Sequence, residues 1–166
     1  MQTSSNNPAS PELYKICDLG KGALFVMPKP TSETLLEDIA YYQSQGVTKV
    51  ISLLHAQEIE KLGMLMESQA CETNGIKFEN FPITDMSVPD VARLKALQQR
   101  LKAEIEQGEA IAIHCHGGRG RAGIVAITLM IEHGYDADKA IEMASNARGD
   151  RMPVNDLQLN FVKNYR

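Results

Sequence analysis

The sequence has no tryptophan, few aromatic residues and only three cysteines in 166 positions. Cys17, Cys71 and Cys115 stand far apart, with no C-x-x-C pair and no His/Cys grouping at zinc-finger spacing. That suggests neither a disulfide framework nor a structural metal, and it suits a reducing, cytoplasmic setting. Positive charge is short as well: 17 Lys and Arg against 21 Asp and Glu leave a formal −4. Nothing in that balance draws the chain to nucleic-acid phosphates or to an anionic bilayer. Long apolar runs are missing too. The most apolar segment, Gly123 to Ile131, is far below the roughly 20 residues that span a bilayer, and no basic segment leads into an apolar stretch at the start. The expectation is a soluble, unsecreted monomer with no cofactor, no nucleic-acid partner and no membrane insertion.

What is present suffices for one core and is too little for two. Residues 1–11 are polar, carry two prolines and have almost nothing to bury, so they are expected as a loose tail before a single domain over 12–166. Short apolar runs bounded by Gly, Pro, Asn or charge mark strands at Leu13 to Ile16, Ala23 to Met27, Lys49 to Leu54, Ile76 to Phe81 and Ala110 to His114. Helical patterns cover Glu33 to Gln45, a Met-rich stretch from Gln57 to Thr73, and Val91 to Gln107. Three more follow at Gly123 to His133, Ala137 to Ala147 and Asn155 to Tyr165. In the third pattern Val91, Leu94, Leu97, Leu101 and Ile105 recur every three or four residues behind Asp90, a natural N-cap. Gly123 to His133 is apolar nearly all round, as a helix in the middle of a domain must be. Alternating strands and helices imply an α/β fold: a central, mostly parallel sheet of about five strands with helices on both faces. Met64 and Met66, with Leu62 and Leu65, are expected to fill the core.

In such sheets ligands bind where a strand gives way to a helix, and one such junction reads His-Cys-His-Gly-Gly-Arg-Gly-Arg over 114–121. Gly117, Gly118 and Gly120 let the backbone turn N–H groups inward and approach an anion, while the following helix adds the positive end of its dipole. Arg121 can clasp two phosphate oxygens with its planar fork. The same field favours the thiolate of Cys115, making it a nucleophile rather than an inert buried thiol. Attack on phosphorus also needs a proton donor for the departing oxygen. Asp85, in FPITDMSVPD between a strand and a helix, is preferred over Asp90, which the helix uses as its cap.

With these residues in place, the chain resembles the small dual-specificity members of the cysteine-dependent protein tyrosine phosphatase superfamily, and among them the kinase-associated phosphatase group. HCHGGRGRAG is similar to the family's HCxxGxxR[ST]G, and PITDMSVPD looks like its general-acid loop. The resemblance implies a phosphoric monoester hydrolase acting through a phosphocysteine: Cys115 as nucleophile, Arg121 as clamp, Asp85 as acid, and the 116–120 backbone as phosphate cradle. It implies a supporting role for His114 near the thiolate, and for Gln158 in positioning the hydrolytic water. Ala122 departs from the pattern, since the family usually has a Ser or Thr there whose hydroxyl helps the thiolate leave; glucan phosphatases of the superfamily also carry Ala. The implied substrate is a phosphorylated protein or peptide, at phosphotyrosine and at phosphoserine or phosphothreonine. His116 and Arg119 keep a second reading open, because phosphoinositide phosphatases of the superfamily carry lysines at those two positions. Arg148 and Arg151 could widen recognition at the rim. A phosphate-binding pseudophosphatase is the alternative outside enzymes, although such proteins generally lose the Cys or the Arg.

Overall fold

The computed structural model describes residues 10–166, so all but the last two residues of the expected polar tail lie outside it. Five strands form one sheet in the order β1-β2-β5-β3-β4. β1 (Tyr14–Leu19) runs antiparallel to β2 (Gly22–Met27). The parallel pairs join β2 to β5 (Ala110–His114), β5 to β3 (Lys49–Ser52), and β3 to β4 (Lys77–Asn80). The strands follow the apolar runs closely, as the sequence patterning predicts.

Alternation along the strands divides the interior in two. Leu24 and Val26 of β2, Ile51 of β3, and Ile111 and Ile113 of β5 face one cluster. Phe25 and Met27, Val50 and Ala112 face the other. The first cluster is closed by α4 (Val91–Glu106), α5 (Arg121–Glu132), α6 (Ala137–Arg148) and α7 (Asp156–Lys163), the second by α1 (Leu35–Ser44) and α3 (Glu67–Thr73). α5 is buried on every side from Arg121 to Met130. Each of its fully buried Ile, Val, Leu and Met side chains contributes roughly 1.5–3 kcal/mol. Gly123 permits this depth, because a Cβ there would come within 3.3 Å of Met152 and Pro153. Among the described residues no helix is long and apolar enough to cross a membrane.

The Met-rich stretch is a correction. A single helix over Gln57 to Thr73 is expected from composition, but α2 (Ala56–Lys61) and α3 are separate. Gly63, at φ +72°, breaks the path between them. The break also splits the side chains: Met64 is buried, whereas Leu65 and Met66 are exposed and fill no core.

The chain leaves β2, passes over to β3 and β4, then returns through α4 to place β5 between β2 and β3. That reversal opens a crevice beyond the carboxyl end of β5, where ligands of such sheets bind. The loop 115–120 occupies it, between β5 and the buried start of α5.

Candidate active site

Three consecutive carbonyls of the loop are held from behind. His114 Nδ1 lies 3.0 Å from the Cys115 oxygen, the Lys29 N–H donates to the His116 oxygen at 3.1 Å, and Arg148 Nη2 donates to the Gly117 oxygen at 3.0 Å. In a trans peptide the carbonyl of one residue and the N–H of the next point opposite ways. Anchoring these carbonyls therefore turns the N–H groups of His116, Gly117 and Gly118 to the other side, into the cradle. Among the described residues, no N–H from His116 to Gly120 donates to another protein group. Gly118 makes the turn possible at φ +78°, where a Cβ would lie 2.5 Å from the backbone of Met27.

Arg121 opens α5 and is 1% exposed. Its Nη1 and Nη2 donate to the two carboxylate oxygens of Glu58 at 2.7 and 3.0 Å, and Nη1 also donates to the Ile83 carbonyl at 3.0 Å. The buried Nε has no partner within the protein, a donor whose desolvation costs about 1–3 kcal/mol until an acceptor arrives. An anion in the cradle is such an acceptor. Burial opposes the charge on Arg121, but the bond to Glu58 and the fields of Cys115, Glu58 and Asp85 outweigh it, so its pKa rises. In return the Arg121 guanidinium, helped by the His55 N–H, holds the Glu58 carboxyl below its ordinary range against the opposing effect of burial.

Asp85 Oδ1 sits 3.2 Å from Arg121 Nη2 while its side chain remains 62% exposed. The loop that carries Asp85 thus reaches Arg121 and still meets solvent. It is pinned from α7: Asn155 Nδ2 donates to the Met86 carbonyl at 3.0 Å, and Gln158 Nε2 donates to the Ser87 carbonyl at 3.2 Å. Asp90 instead accepts the Arg93 N–H at 2.9 Å as the cap of α4.

Gln158 is fully buried, not on an exposed helix face. It accepts the Val154 N–H at 3.2 Å, and its amide lies so close to Gly120 that a Cβ there would meet it at 3.2 Å. It joins the loop that carries Asp85 to the cradle. His116 is exposed and, with His55, Lys61, Thr84 and Asp85, lines an open cleft of about 550 Å³. Arg119 is engaged by Asp150, and Arg151 by Asp156. Arg148 braces the loop and stacks on Tyr14 at 4.5 Å. Cys71 is buried and free, and burial, reinforced by Glu67, pushes its thiol up to about 12. Cys17 is half-buried and also free.

Sequence reasoning misses two carboxylates, Glu58 and Glu67. Glu58 occupies an ordinary position in the first turn of α2, bonded to the His55 N–H at 2.9 Å. Glu67 lies at the start of α3, with Oε2 2.6 Å from His114 Nε2. Neither has a local signature, since each meets a residue about fifty or sixty positions away.

Together these groups can bind a dianionic phosphate, present a nucleophile to it and donate a proton. The family described as "Swiss Army Knife protein, DSP-PTPase phosphatase domain" matches residues 17–156. Protein tyrosine phosphatase type IVA 3 of Mus musculus is 26% identical over 138 residues, covering 82% of this chain and 72% of the relative. The fold is also that of kinase associated phosphatase, solved with its catalytic-site cysteine substituted by serine: TM-score 0.84, 19% identity, 96% of each chain. PTPMT1 in complex with PI(5)P aligns with a TM-score of 0.73 at 19% identity, over 92% of this chain and 93% of that one. This chain belongs to the Swiss Army Knife DSP-PTPase phosphatase domain family, and it is a phosphoric monoester hydrolase of the cysteine-based superfamily.

Proposed function

We propose that the chain is a dual-specificity protein phosphatase, one domain over 12–166, that forms its phosphocysteine on Cys115. The observation that carries this reading is the set of unpartnered donors around Cys115: the N–H groups of 116–120 and Arg121 Nε. A phosphate dianion satisfies them all, and they strengthen as charge builds on its equatorial oxygens in the transition state. The Cys115 thiolate attacks phosphorus as the ester oxygen departs. Asp85 gives that oxygen a proton, then takes one from the water that cleaves the phosphocysteine and returns the thiolate. Gln158 orients this water beside Gly120.

The cleft is open to solvent, which supports access for phosphoserine and phosphothreonine as well as phosphotyrosine. The Arg119–Asp150 pair reduces the positive charge at the mouth and weighs against a polyphosphorylated lipid headgroup. A cytoplasmic setting is consistent with three free cysteines, and the working form is a monomer.

The test is a panel of phosphopeptides and phosphoinositides with Cys115→Ser as the blank, joined to mass spectrometry of acid-quenched enzyme. A phosphate adduct on Cys115 and faster turnover of phosphopeptides are expected. An enzyme that keeps its rate after Cys115 is alkylated refutes the nucleophile, and preference for phosphoinositides refutes the substrate class.

A further inference from the structure

The pair formed by Glu67 and His114 is buried as a unit, with side chains 2% and 0% exposed. One ring nitrogen of His114 faces a carboxylate oxygen at 2.6 Å and the other faces the Cys115 carbonyl at 3.0 Å. Both partners are acceptors. A neutral imidazole has one N–H and one lone pair, so beside an ionised Glu67 it would set a lone pair against an oxygen at one end. Two arrangements avoid that: both ring nitrogens carry hydrogen, or the shared proton sits on Glu67 and the ring accepts it at Nε2. Each leaves the pair neutral overall and keeps a proton on Nδ1, aimed at the Cys115 carbonyl.

We infer that Glu67 is a positioning residue for the phosphate loop, fixing the hydrogen of His114 on Nδ1 and through it the orientation of the Cys115 peptide. The inference rests on the reading of Cys115 and its cradle as the catalytic centre. Without an acidic partner at Nε2, neutral His114 can carry its hydrogen on either nitrogen. In the Nε2–H form the bond to the Cys115 carbonyl is lost and two lone pairs face each other. The peptide between Cys115 and His116 is then free to rotate, and its N–H no longer points reliably into the cradle. Glu67 thus acts on the anion site from the far side of the ring, without touching the substrate. His114 and Glu67 come from different elements, β5 and α3, so the second face of the sheet, which already supplies Glu58 to Arg121 from α2, also helps to set the loop's geometry.

Two variants separate this role from bulk packing. Glu67→Leu removes the partner while filling the space. Glu67→Gln restores it in a specific way, since its amide can donate to Nε2 and so requires the hydrogen at Nδ1. Three measurements apply to wild type and both variants: the ring nitrogen resonances of His114, inhibition by inorganic phosphate, and single-turnover formation of the Cys115 adduct. Glu67→Leu is expected to give mixed ring tautomers, weaker phosphate inhibition and an adduct rate lower by about 10–100-fold, the value of one hydrogen bond to a charged group. Glu67→Gln is expected to keep the Nδ1 hydrogen and recover most of the rate. An adduct rate in Glu67→Leu equal to wild type overturns the inference, as does a Glu67→Gln variant that keeps the Nδ1 hydrogen yet is as slow as Glu67→Leu. Failure of wild type to form any adduct on Cys115 would instead refute the catalytic reading, a result the ring resonances cannot produce.

Discussion

At the scale of single residues, the acid role proposed for Asp85 rather than Asp90 rests on what each side chain meets. Asp90 is bonded to the Arg93 N–H as the cap of α4, whereas Asp85 meets Arg121 and solvent. Asp85→Asn keeps the size and removes the transferable proton. It is expected to lower kcat on an unactivated phosphopeptide by about 10²–10⁴-fold with phosphate inhibition nearly unchanged; equal rates would move the acid role elsewhere. Ala122 poses the reverse question, a hydroxyl that the family usually has and this chain lacks. It is buried in the first turn of α5 beside the cradle. Ala122→Ser is expected to speed phosphocysteine hydrolysis roughly tenfold, the effect of one hydrogen bond to a developing thiolate. Single-turnover kinetics resolve the second step, and no change or a loss there rejects the idea. Both arguments start from side-chain chemistry, which is why sequence alone could frame them. Gln158 is different, because its burial between two loops depends on where α7 packs.

At the scale of elements, the loop depends on glycine unevenly, and two substitutions expose the difference. Gly118→Ala combines a left-handed φ with a 2.5 Å approach to the Met27 backbone. These cost roughly 1–2 kcal/mol for the backbone and about 1–3 kcal/mol for overpacking. Gly117→Ala meets nothing within 4 Å and has no positive φ, so its effect on stability is expected to be within about 1 kcal/mol. Urea denaturation of the two variants should rank them in that order, and equal midpoints would mean that the loop relaxes away from Met27. From sequence the three glycines look interchangeable. Strands and amphipathic helices are legible because burial imposes a period on them, as α4 and its Asp90 cap demonstrate. The stretch from Gln57 to Thr73 is less so: it is rich in apolar residues, but the turn at Gly63 resets the phase and leaves Leu65 and Met66 in solvent. Arg148 is legible as a basic residue near the helix end but not as the brace of the Gly117 carbonyl, since nothing local shows which loop it meets.

At the scale of the whole molecule, the parallel order of the sheet follows from alternation of strands and helices, while the place of each carboxylate partner does not, because ion pairs link positions far apart in the chain. Their distribution sets the range of pH over which the fold holds. Arg121 bonding lowers Glu58 below its ordinary 4.5. For Glu79, Glu109 and Glu132, burial opposes ionisation, and bonds from Arg100 and Lys49, from Lys77 and Thr48, and from Tyr165 and Lys95 outweigh it. A carboxylate with a depressed folded pKa contributes stability that is fully present above its unfolded value and is lost as pH falls through the folded one. The opposite limb belongs to groups held neutral. Burial pushes Cys71 from 9.0 up to about 12 and raises Cys17, Tyr42 and Tyr165 as well. Their contribution is present below the unfolded values near 9.0 to 10.0 and is lost as pH rises beyond them. The urea midpoint is therefore expected to be flat from about pH 5 to 8.5 and to fall on both sides. Replacing Glu79 by Gln should shrink the acid limb and leave the alkaline limb alone, because that carboxylate is held by Lys49 and Arg100 and has no part in raising Cys71, Cys17, Tyr42 or Tyr165. A midpoint that stays level down to pH 3.5, or an acid limb unchanged in Glu79→Gln, would show that these pairs do not control the fold's response to acid.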